Sequence, residues 1–540
     1  MLGEEDITMR YDIIIKNGNI FDGTGNPWIK ADIGIVNDKV KRIGLIKDEG
    51  KRIIDADGLI VSPGFVDIHN HSDFKILAYP DCESNLMQGI TTAVVGNCGF
   101  SMAPLNPNNL YLLKKYLSHV DKYNYNWNWT SFREFYQKVQ ETNIALNLAP
   151  LVGHGTIRIA VKGFDKSQPS EREMQEMKRL LAESLEDGAF GMSSGLTYPP
   201  GGYAEKEELH ELGKILKKYR RVYCSHLRDY GDNIVKAIQE AIEMAQKNDI
   251  PVEISHLNLR KENWGKADNI LKEIVKAREK GIEVGCDRYP YNASSGPITS
   301  TSFLPLWVLE GGVEKMLERL SDYSTRKKIK EELSEKKKND TYFGVYKLKD
   351  VLVANSPLAK KYEGMSLEDI IGSSKGDKVY DHFFDFLLEI KGEGQNIVYF
   401  SRNEEDLKTT LSNEFTSVMT DSSAISISAG GNPHPRTYGS YPRFFQEYVN
   451  KQKILTMSEA IKKVTSQPAS IIRLKARGLI KEGFYADIVI FDSAKIQDHA
   501  TYQDPHQYPS GIHYVIVNGG IAVENGNKIG TNYGHVLYAT

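Results

Sequence analysis

Cysteine is scarce in this sequence: the 540 residues include only Cys82, Cys98, Cys224 and Cys286. Four dispersed cysteines cannot supply a disulfide framework in a chain of this length. Three of them are expected to be buried as small apolar side chains. Cys98 is the exception, because it follows a predicted strand among polar residues.

Long apolar runs and an excess of one charge sign are also missing. Lys and Arg number 68 against 71 Asp and Glu, and the formal net charge is -3. No basic block is interleaved with aromatics, so a nucleic-acid partner is not expected. The apolar runs are strand-sized, so no membrane partner is expected. Residues 1–6 are acidic and lack an apolar signal region, which predicts a cytoplasmic protein.

Short strands separated by turns dominate both ends of the chain. Apolar alternation with turn dipeptides between the segments predicts strands at 11–16, 31–36, 40–46, 52–55, 486–491, 513–517 and 521–524. Neither end has enough strands for a core of its own. We expect residues 1–61 and 476–540 to pair into one small β-domain.

Residues 62–475 follow a different pattern, in which strands alternate with amphipathic helices. The predicted strands are 61–68, 91–95, 144–149, 189–193, 222–225, 251–255, 282–286 and 417–420. Ser170, with Glu173 three residues later, predicts the start of one of the helices. Eight strands over this span favour an α/β fold of the (β/α)₈ TIM-barrel type, whose active site lies at the carboxyl ends of the strands.

The alternation lapses at about 300–395. Lys- and Glu-rich segments such as residues 327–338 favour a solvated helical insertion before the last barrel strand. A lid that closes over the substrate is the alternative.

Polar residues follow the predicted barrel strands. His69 and His71 end the first strand at positions i and i+2, so their side chains share one face and can reach one metal ion. Further candidates at other strand ends are Cys98, His226, His256 and Asp421. Strand ends meet in one ring in a closed barrel.

The types of ligand indicate zinc. Imidazole and thiolate suit Zn²⁺, whereas Mg²⁺ and Ca²⁺ prefer oxygen. We expect Cys98, His226 and His256 to hold a tight zinc ion with an open position for water. His69 and His71 would form a second, weaker site.

Several segments resemble the metal-dependent amidohydrolase superfamily, and within it the N-acyl-D-amino-acid deacylases, or D-aminoacylases. The resemblance covers nearly the whole chain and is carried by residues 63–71 (PGFVDIHNH), 88–99 (QGITTAVVGNCG), 152–156 (VGHGT), 193–196 (SSGL), 225–229 (SHLRD), 289–291 (YPY) and 433–436 (PHPR). It implies a zinc barrel with a small β-sandwich built from both termini. Many relatives bridge two metals with a lysine on strand four; residues 189–196 contain none, and Cys98 stands where the deacylases have a metal-binding cysteine.

The resemblance also implies a substrate and its contacts. It implies that Arg436, helped by Tyr289 and Ser295, binds the α-carboxylate of a small N-acyl-D-amino acid. A guanidinium fork suits a planar carboxylate. The expected reaction is hydrolysis of the linear amide, with Asp421 accepting a proton from water and returning it to the leaving nitrogen.

Some positions depart from the pattern of the family. A longer run through 426–432 precedes Arg436, and Tyr230 stands where Glu is common. Asn258 replaces a frequent lysine, which disfavours an acidic D-side chain, although Arg260 is near. The alternatives are a D-residue dipeptidase, a cyclic-amide hydrolase of the hydantoinase or dihydroorotase type, and a non-catalytic assembly module.

Overall fold

A computed structural model describes residues 10–118, 125–335, 342–343, 346–356, 358–372, 376, 378–392 and 396–540. Within these residues the β-strands are β1 (Tyr11–Ile20), β2 (Ile29–Val36), β3 (Lys39–Gly44), β4 (Gly50–Asp55), β5 (Ile60–Pro63), β6 (Phe65–Asp67), β7 (Ile90–Val95), β8 (Asn147–Pro150), β9 (Val152–Gly153), β10 (Gly191–Gly195), β11 (Val222–His226), β12 (Val252–Ile254), β13 (Val284–Arg288), β14 (Ala293–Pro297), β15 (Val351–Asn355), β16 (Asn396–Phe400), β17 (Thr416–Val418), β18 (Ile488–Phe491), β19 (Ile512–Val517), β20 (Gly520–Glu524) and β21 (Asn527–Lys528).

The α-helices of the same residues alternate with the strands of the middle region. They are α1 (Glu83–Leu86), α2 (Leu110–Tyr116), α3 (Phe132–Glu141), α4 (His154–Lys162), α5 (Glu171–Glu186), α6 (Lys206–Tyr219), α7 (Ile234–Asn248), α8 (Ala267–Glu279), α9 (Val313–Ser321), α10 (Tyr323–Glu335), α11 (Leu367–Ile371), α12 (Lys378–Glu389), α13 (Glu404–Ser412), α14 (Arg436–Arg443), α15 (Met457–Val464) and α16 (Ser466–Ile471). Of these described helices, none combines the length and the apolar character that a bilayer crossing requires.

The middle of the chain forms a parallel barrel. β6, β7 and β8 pair in parallel, and so do β9, β10, β11, β12, β13 and β17. Leu151 alone separates β8 from β9, so these two segments act as one strand. Each of the eight predicted barrel strands overlaps an observed strand.

Hydrogen bonds beyond the ends of β6 and β17 close the ring. The Asp421 amide donates to the His69 carbonyl at 2.9 Å, and the His71 amide donates to the Ser422 carbonyl at 2.8 Å. The buried Asp67 carboxylate strengthens this seam by accepting from Thr420 Oγ1 at 2.6 Å and Asn70 Nδ2 at 2.8 Å. The first and last barrel strands therefore meet where the candidate ligands lie.

Both ends of the chain join one nine-stranded sheet. Its order is β21-β20-β19-β18-β5-β1-β2-β3, with β4 beside β1, and β5 pairs antiparallel with β18. Ile13, Ile33 and Val61 pack in one apolar cluster with Ile488 and Ile516. This cluster therefore draws its residues from both ends of the chain.

Local sequence signals explain where helix α5 begins. Ser170 Oγ accepts from the Glu173 amide at 3.4 Å, and Glu173 Oε2 accepts from the Ser170 amide at 2.8 Å. This capping box satisfies two amides that the first helical turn leaves free. The predicted start of the helix is the observed one.

The insertion differs in part from the helical expectation. It contains α9 to α12 and also β15, which pairs antiparallel with β16; β16 follows the insertion and pairs in turn with β14, which precedes it. Residues 336–338 of the predicted helical text lie outside the described residues. The insertion has an apolar cluster of its own, including Phe303, Leu320, Phe383 and Ile397. β-branched and aromatic residues in β16 favour a strand there. Closure of the insertion as a lid stays a prediction.

Candidate metal centre and active-site cavity

Cys98 is the centre of a cluster of imidazoles at the carboxyl ends of the barrel strands. Its Sγ lies 3.3 Å from His69 Nε2, 3.5 Å from His226 Nδ1 and 3.4 Å from His256 Nε2. All four side chains are buried. Residues from four different strands therefore converge on one point.

A sharp turn aims Cys98 inward. Gly96, Cys98 and Gly99 all have positive φ angles, of 78°, 55° and 77°. A Cβ on Gly96 would lie 2.1 Å from the Leu151 carbonyl oxygen, and one on Gly99 would lie 2.6 Å from the Gly195 amide nitrogen. Only glycine fits both the conformation and the close approach of the neighbouring strands.

The spacing fits a shared metal ion. Bonds of about 2.3 Å to sulfur and 2.0–2.1 Å to nitrogen at a tetrahedral angle put two zinc ligands about 3.6 Å apart. The Sγ distances to His226 and His256 are 3.5 and 3.4 Å. Cys98, His226 and His256 form one group of potential ligands, and His69, His71, Cys98 and Asp421 form a second. Cys98 belongs to both groups, and a thiolate can bridge two metals.

The outer nitrogens of His226 and His256 are hydrogen-bonded to a neighbouring side chain, and that of His69 lies at ion-pair distance from a carboxylate. Asp287 Oδ2 lies 3.5 Å from His69 Nδ1. In the other two pairs, Thr197 Oγ1 is 2.8 Å from His226 Nε2 and Tyr230 OH is 3.0 Å from His256 Nδ1. Such partners fix the ring orientation and the tautomer of a metal ligand. The nitrogens that face Cys98 are thereby left for a cation.

The charges of the cluster suit a metal. Burial lowers the pKa of His226 to about 3 and holds the pKa of His256 well below its usual value. Both imidazoles are therefore neutral at neutral pH, the form that binds metals. Burial raises the pKa of the Cys98 thiol, while His69 opposes that shift. A bound cation would deprotonate the thiol.

Asp421 lies between this cluster and an arginine. Its Oδ1 is 3.3 Å from His71 Nε2 and 3.6 Å from His69 Nε2, and its Oδ2 is 2.9 Å from Arg436 Nη1. Burial favours the neutral acid, but Arg436 and the histidines hold the pKa of Asp421 well below its usual range. The carboxylate is ionised at neutral pH.

A cavity of about 410 Å³ opens from the metal cluster. Arg436, Tyr289 and Ser295, the three predicted substrate contacts, all line it. The Arg436 guanidinium lies 4.6 Å from the centroid of the Tyr289 ring. Tyr289 OH also accepts from Asn258 Nδ2 at 2.9 Å. The run at 426–432 therefore does not carry Arg436 away from the cavity.

Several residues of the site were missed by the sequence reasoning. Asp287 follows Cys286 on β13, and its position at a barrel strand end was an available signal. Thr197 had no comparable signal, and Tyr230 was noted only as a departure from Glu. Arg402 lines the cavity from the far end of the insertion, and nothing in the local sequence predicts that position.

Comparisons with known proteins identify a family and several similar chains. A model of the amidohydrolase family matches residues 52–294 and 427–523. An N-acyl-D-glutamate deacylase of Alcaligenes xylosoxydans xylosoxydans is 31% identical over 94% of this chain and 93% of that relative. The crystal structure of a D-aminoacylase is similar with a TM-score of 0.80, at 30% identity over 98% of this chain and 100% of that one. An N-acyl-D-glutamate deacylase from Bordetella bronchiseptica, complexed with zinc and a phosphonate inhibitor, gives a TM-score of 0.81 at 28% identity, with the same coverage.

Proposed function

Because the chain belongs to the amidohydrolase family, we propose that it hydrolyses the amide bond of N-acyl-D-amino acids, releasing a carboxylic acid and a D-amino acid. The observation that carries this proposal is the Cys98-centred imidazole cluster with Asp421 beside it at the end of a cavity. The relatives named above deacylate N-acyl-D-amino acids or carry the name D-aminoacylase. Their similarity extends over nearly the whole chain.

We propose zinc as the metal, held tightly by Cys98, His226 and His256, with a second ion on His69, His71 and the shared Cys98. The mixed thiolate and imidazole donors support zinc over magnesium or calcium. When bound, zinc activates water at neutral pH and polarises a carbonyl group. The similar structure with zinc and a phosphonate inhibitor also supports this choice.

Asp421 is the proposed general base and acid. Its carboxylate is ionised at neutral pH, so it can accept a proton from the attacking water. The same Oδ atoms can return that proton to the amide nitrogen as the C–N bond breaks. His71 and Arg436 restrict the carboxylate to one orientation, which aims it at the reacting atoms.

Arg436, Tyr289 and Ser295 are the proposed contacts of the α-carboxylate. A guanidinium that lines the cavity next to the general base can fix the substrate and bring its amide close to Asp421. Tyr289 supplies a hydroxyl that Asn258 and Ser294 already orient at 2.9 and 2.7 Å. Ser295 faces the same cavity from β14.

We also infer that the nine-stranded sheet folds into a small β-sandwich beside the barrel. Apolar residues on β1, β2 and β18 pack in one cluster, while β18 and β19 contribute Val489 and Val515 to a different cluster shared with the barrel. A sheet with two apolar faces needs a cover on each. Residues 1–61 and 476–540 would form this domain, with 62–475 as the catalytic barrel.

The decisive test is a turnover screen of the metal-loaded protein. N-acetyl-D-amino acids should be hydrolysed, and their L-enantiomers, hydantoins and dipeptides should not. An Asp421→Asn variant should keep its metal and lose about 10²- to 10⁴-fold in kcat, the usual contribution of a general acid or base. Near-normal kcat in that variant would remove Asp421 from the mechanism.

A further inference from the structure

The cavity carries more positive charge than one carboxylate requires. The charged residues that line it are Lys75, Arg260, Lys360, Arg402 and Arg436 on the positive side and Glu363 and Asp421 on the negative side. Asp421 is matched by Arg436 at 2.9 Å. Glu363 accepts a hydrogen bond from the Ser356 amide at 2.9 Å. Neither of these two carboxylates pairs with the guanidinium groups of Arg260 and Arg402.

Arg260 and Arg402 have only neutral hydrogen-bond partners. Arg260 Nη2 donates to Ser302 Oγ at 2.8 Å, and Arg402 Nη1 donates to Ser401 Oγ at 2.8 Å. The Nε atoms of both arginines are shielded from solvent and donate to no described residue. No carboxylate of the described chain lies within 4 Å of either guanidinium. Each therefore keeps unused donors.

The negative charges of Asp229 and Glu262 raise the pKa of Arg260 without contacting its guanidinium, so both half-buried guanidinium groups can still bind an anion directly. A buried charge is normally paired, because withdrawal from water costs several kcal/mol that an uncharged partner does not fully return. Arginine stays protonated in proteins and presents a planar fork that matches a carboxylate. The cavity therefore suits an anion in addition to the α-carboxylate at Arg436.

Both guanidinium groups belong to one region of the cavity. The Arg402 guanidinium lies 5.7 Å from the centroid of the Tyr399 ring. Burial raises the pKa of Tyr399 to about 12, and the positive charges of Arg402 and Arg260 both oppose that shift. Arg260 comes from the loop after β12 and Arg402 from the segment after β16. The barrel and the insertion thus each contribute one cation.

We propose that Arg260 and Arg402 bind a second carboxylate of the substrate, so that the enzyme prefers N-acyl-D-amino acids with an acidic side chain. The proposal rests on the deacylase function proposed above. Asn258, which suggested the opposite preference, is occupied by its hydrogen bond to Tyr289. The cations come instead from positions 260 and 402.

The test compares N-acetyl-D-glutamate with N-acetyl-D-glutamine, which has the same shape without the charge. We expect kcat/KM for the glutamate substrate to be at least about tenfold higher. Arg260→Met and Arg402→Met should each lower this ratio by about tenfold to hundredfold. Lys360→Met, which removes an exposed charge from the same cavity, should leave the ratio within about twofold. A ratio near one in the wild type, or an equal loss in all three variants, would overturn the proposal.

A second substrate pair identifies the source of the carboxylate. N-succinyl-D-glutamine places it on the acyl group instead of the side chain. A preference for that compound that depends on Arg402, with none for N-acetyl-D-glutamate, would overturn the assignment to the side chain.

Binding separates this proposal from the proposed function. Calorimetric titration of metal-loaded Asp421→Asn with both acetyl compounds gives an affinity ratio that requires no turnover. A glutamate preference that Arg402→Met abolishes would support the subsite even if the wild type hydrolysed neither compound, and that result would reject the deacylase function alone. Equal affinities for the two compounds would reject the subsite, whatever the turnover.

Discussion

At the scale of single residues, Cys98 differs from the other cysteines in its potential to bind metal. It is the only cysteine of the described chain in either group of potential metal ligands. Cys82, Cys224 and Cys286 are buried too, and burial raises the pKa of each thiol. Cysteine content alone therefore does not distinguish a ligand from an apolar side chain; neighbouring imidazoles do.

A substitution at Cys98 tests this distinction. Cys98→Ser should lower zinc affinity by at least about tenfold, because a neutral hydroxyl is a poorer donor to zinc than a thiolate. Competition with a chromogenic chelator measures the change. Cys286→Ser is the matched control, since Cys286 is a buried cysteine of a barrel strand whose Sγ lies 3.3 Å from Thr416 Oγ1. If both variants retained wild-type affinity, Cys98 would not be a ligand.

Glu208 is a buried charged residue whose ion pairs stabilise the folded state. Its Oε1 lies 2.7 Å from His154 Nε2 and 3.2 Å from Arg158 Nε, and all three side chains are buried. Burial favours the neutral acid, but His154 and Arg158 together lower the pKa of Glu208 below its usual value. The ionised carboxylate therefore stabilises the fold above its unfolded pKa of about 4.3, and this contribution disappears as the pH falls through the folded value.

Glu208→Gln should accordingly destabilise the protein by about 3 kcal/mol at pH 7, the typical effect of breaking a buried ion pair. The difference from wild type should shrink as the pH falls below about 4. Denaturant unfolding at a series of pH values measures both effects. A difference that stays constant down to acid pH would show that the charge of Glu208 contributes nothing.

At the scale of elements, the seam between β6 and β17 decides whether the barrel closes around the site. Asp67 accepts from Thr420 Oγ1 across this seam and from Asn70 Nδ2 on its own side of it. Asp67→Ala would remove the acceptor of the buried Thr420 hydroxyl and of the Thr420 amide, at 2.6 and 3.1 Å, and each such loss costs about 1–3 kcal/mol. We expect a fall in stability of about 3 kcal/mol together with weaker metal binding, measured by denaturant unfolding and metal titration.

Asp165→Ala is the control for the seam. Asp165 accepts from the exposed Ser167 amide at 2.7 Å, so its loss should cost less than about 1 kcal/mol. Equal destabilisation by the two variants would argue against a special role for the seam.

At the scale of the whole molecule, a metal ion would connect strands that are far apart in sequence. Cys98 follows β7, His226 ends β11 and His256 follows β12. Unfolding therefore separates the three side chains. A ligand that binds only the folded chain stabilises it by about 2.7 kcal/mol at a hundred times its Kd. Chelation should therefore lower Tm by several degrees, and added zinc should restore it.

The Cys98→Ser variant provides the control for this effect, because zinc should change its Tm much less than that of the wild type. Differential scanning fluorimetry with and without a chelator makes the comparison. An unchanged Tm in the wild type would mean that metal and fold are not coupled.

The sequence by itself determined the elements and the residues with the clearest chemistry. Apolar runs marked the eight barrel strands, Ser170 and Glu173 marked the start of α5, and the i, i+2 spacing put His69 and His71 on one face. These features depend on interactions within a few residues, so the local amino-acid sequence is enough to predict them.

Only the tertiary structure decided which side chains meet. Asp287 and Thr197 reach the outer nitrogens of His69 and His226 from other strands, Arg436 lies against Asp421, and Arg402 enters the cavity because the insertion packs over it. Contacts of this kind depend on the register and closure of the barrel and on the packing of a long insertion. The residues next to these positions do not determine barrel closure or the packing of the insertion. The number of cations in the cavity could therefore be counted only in the folded chain.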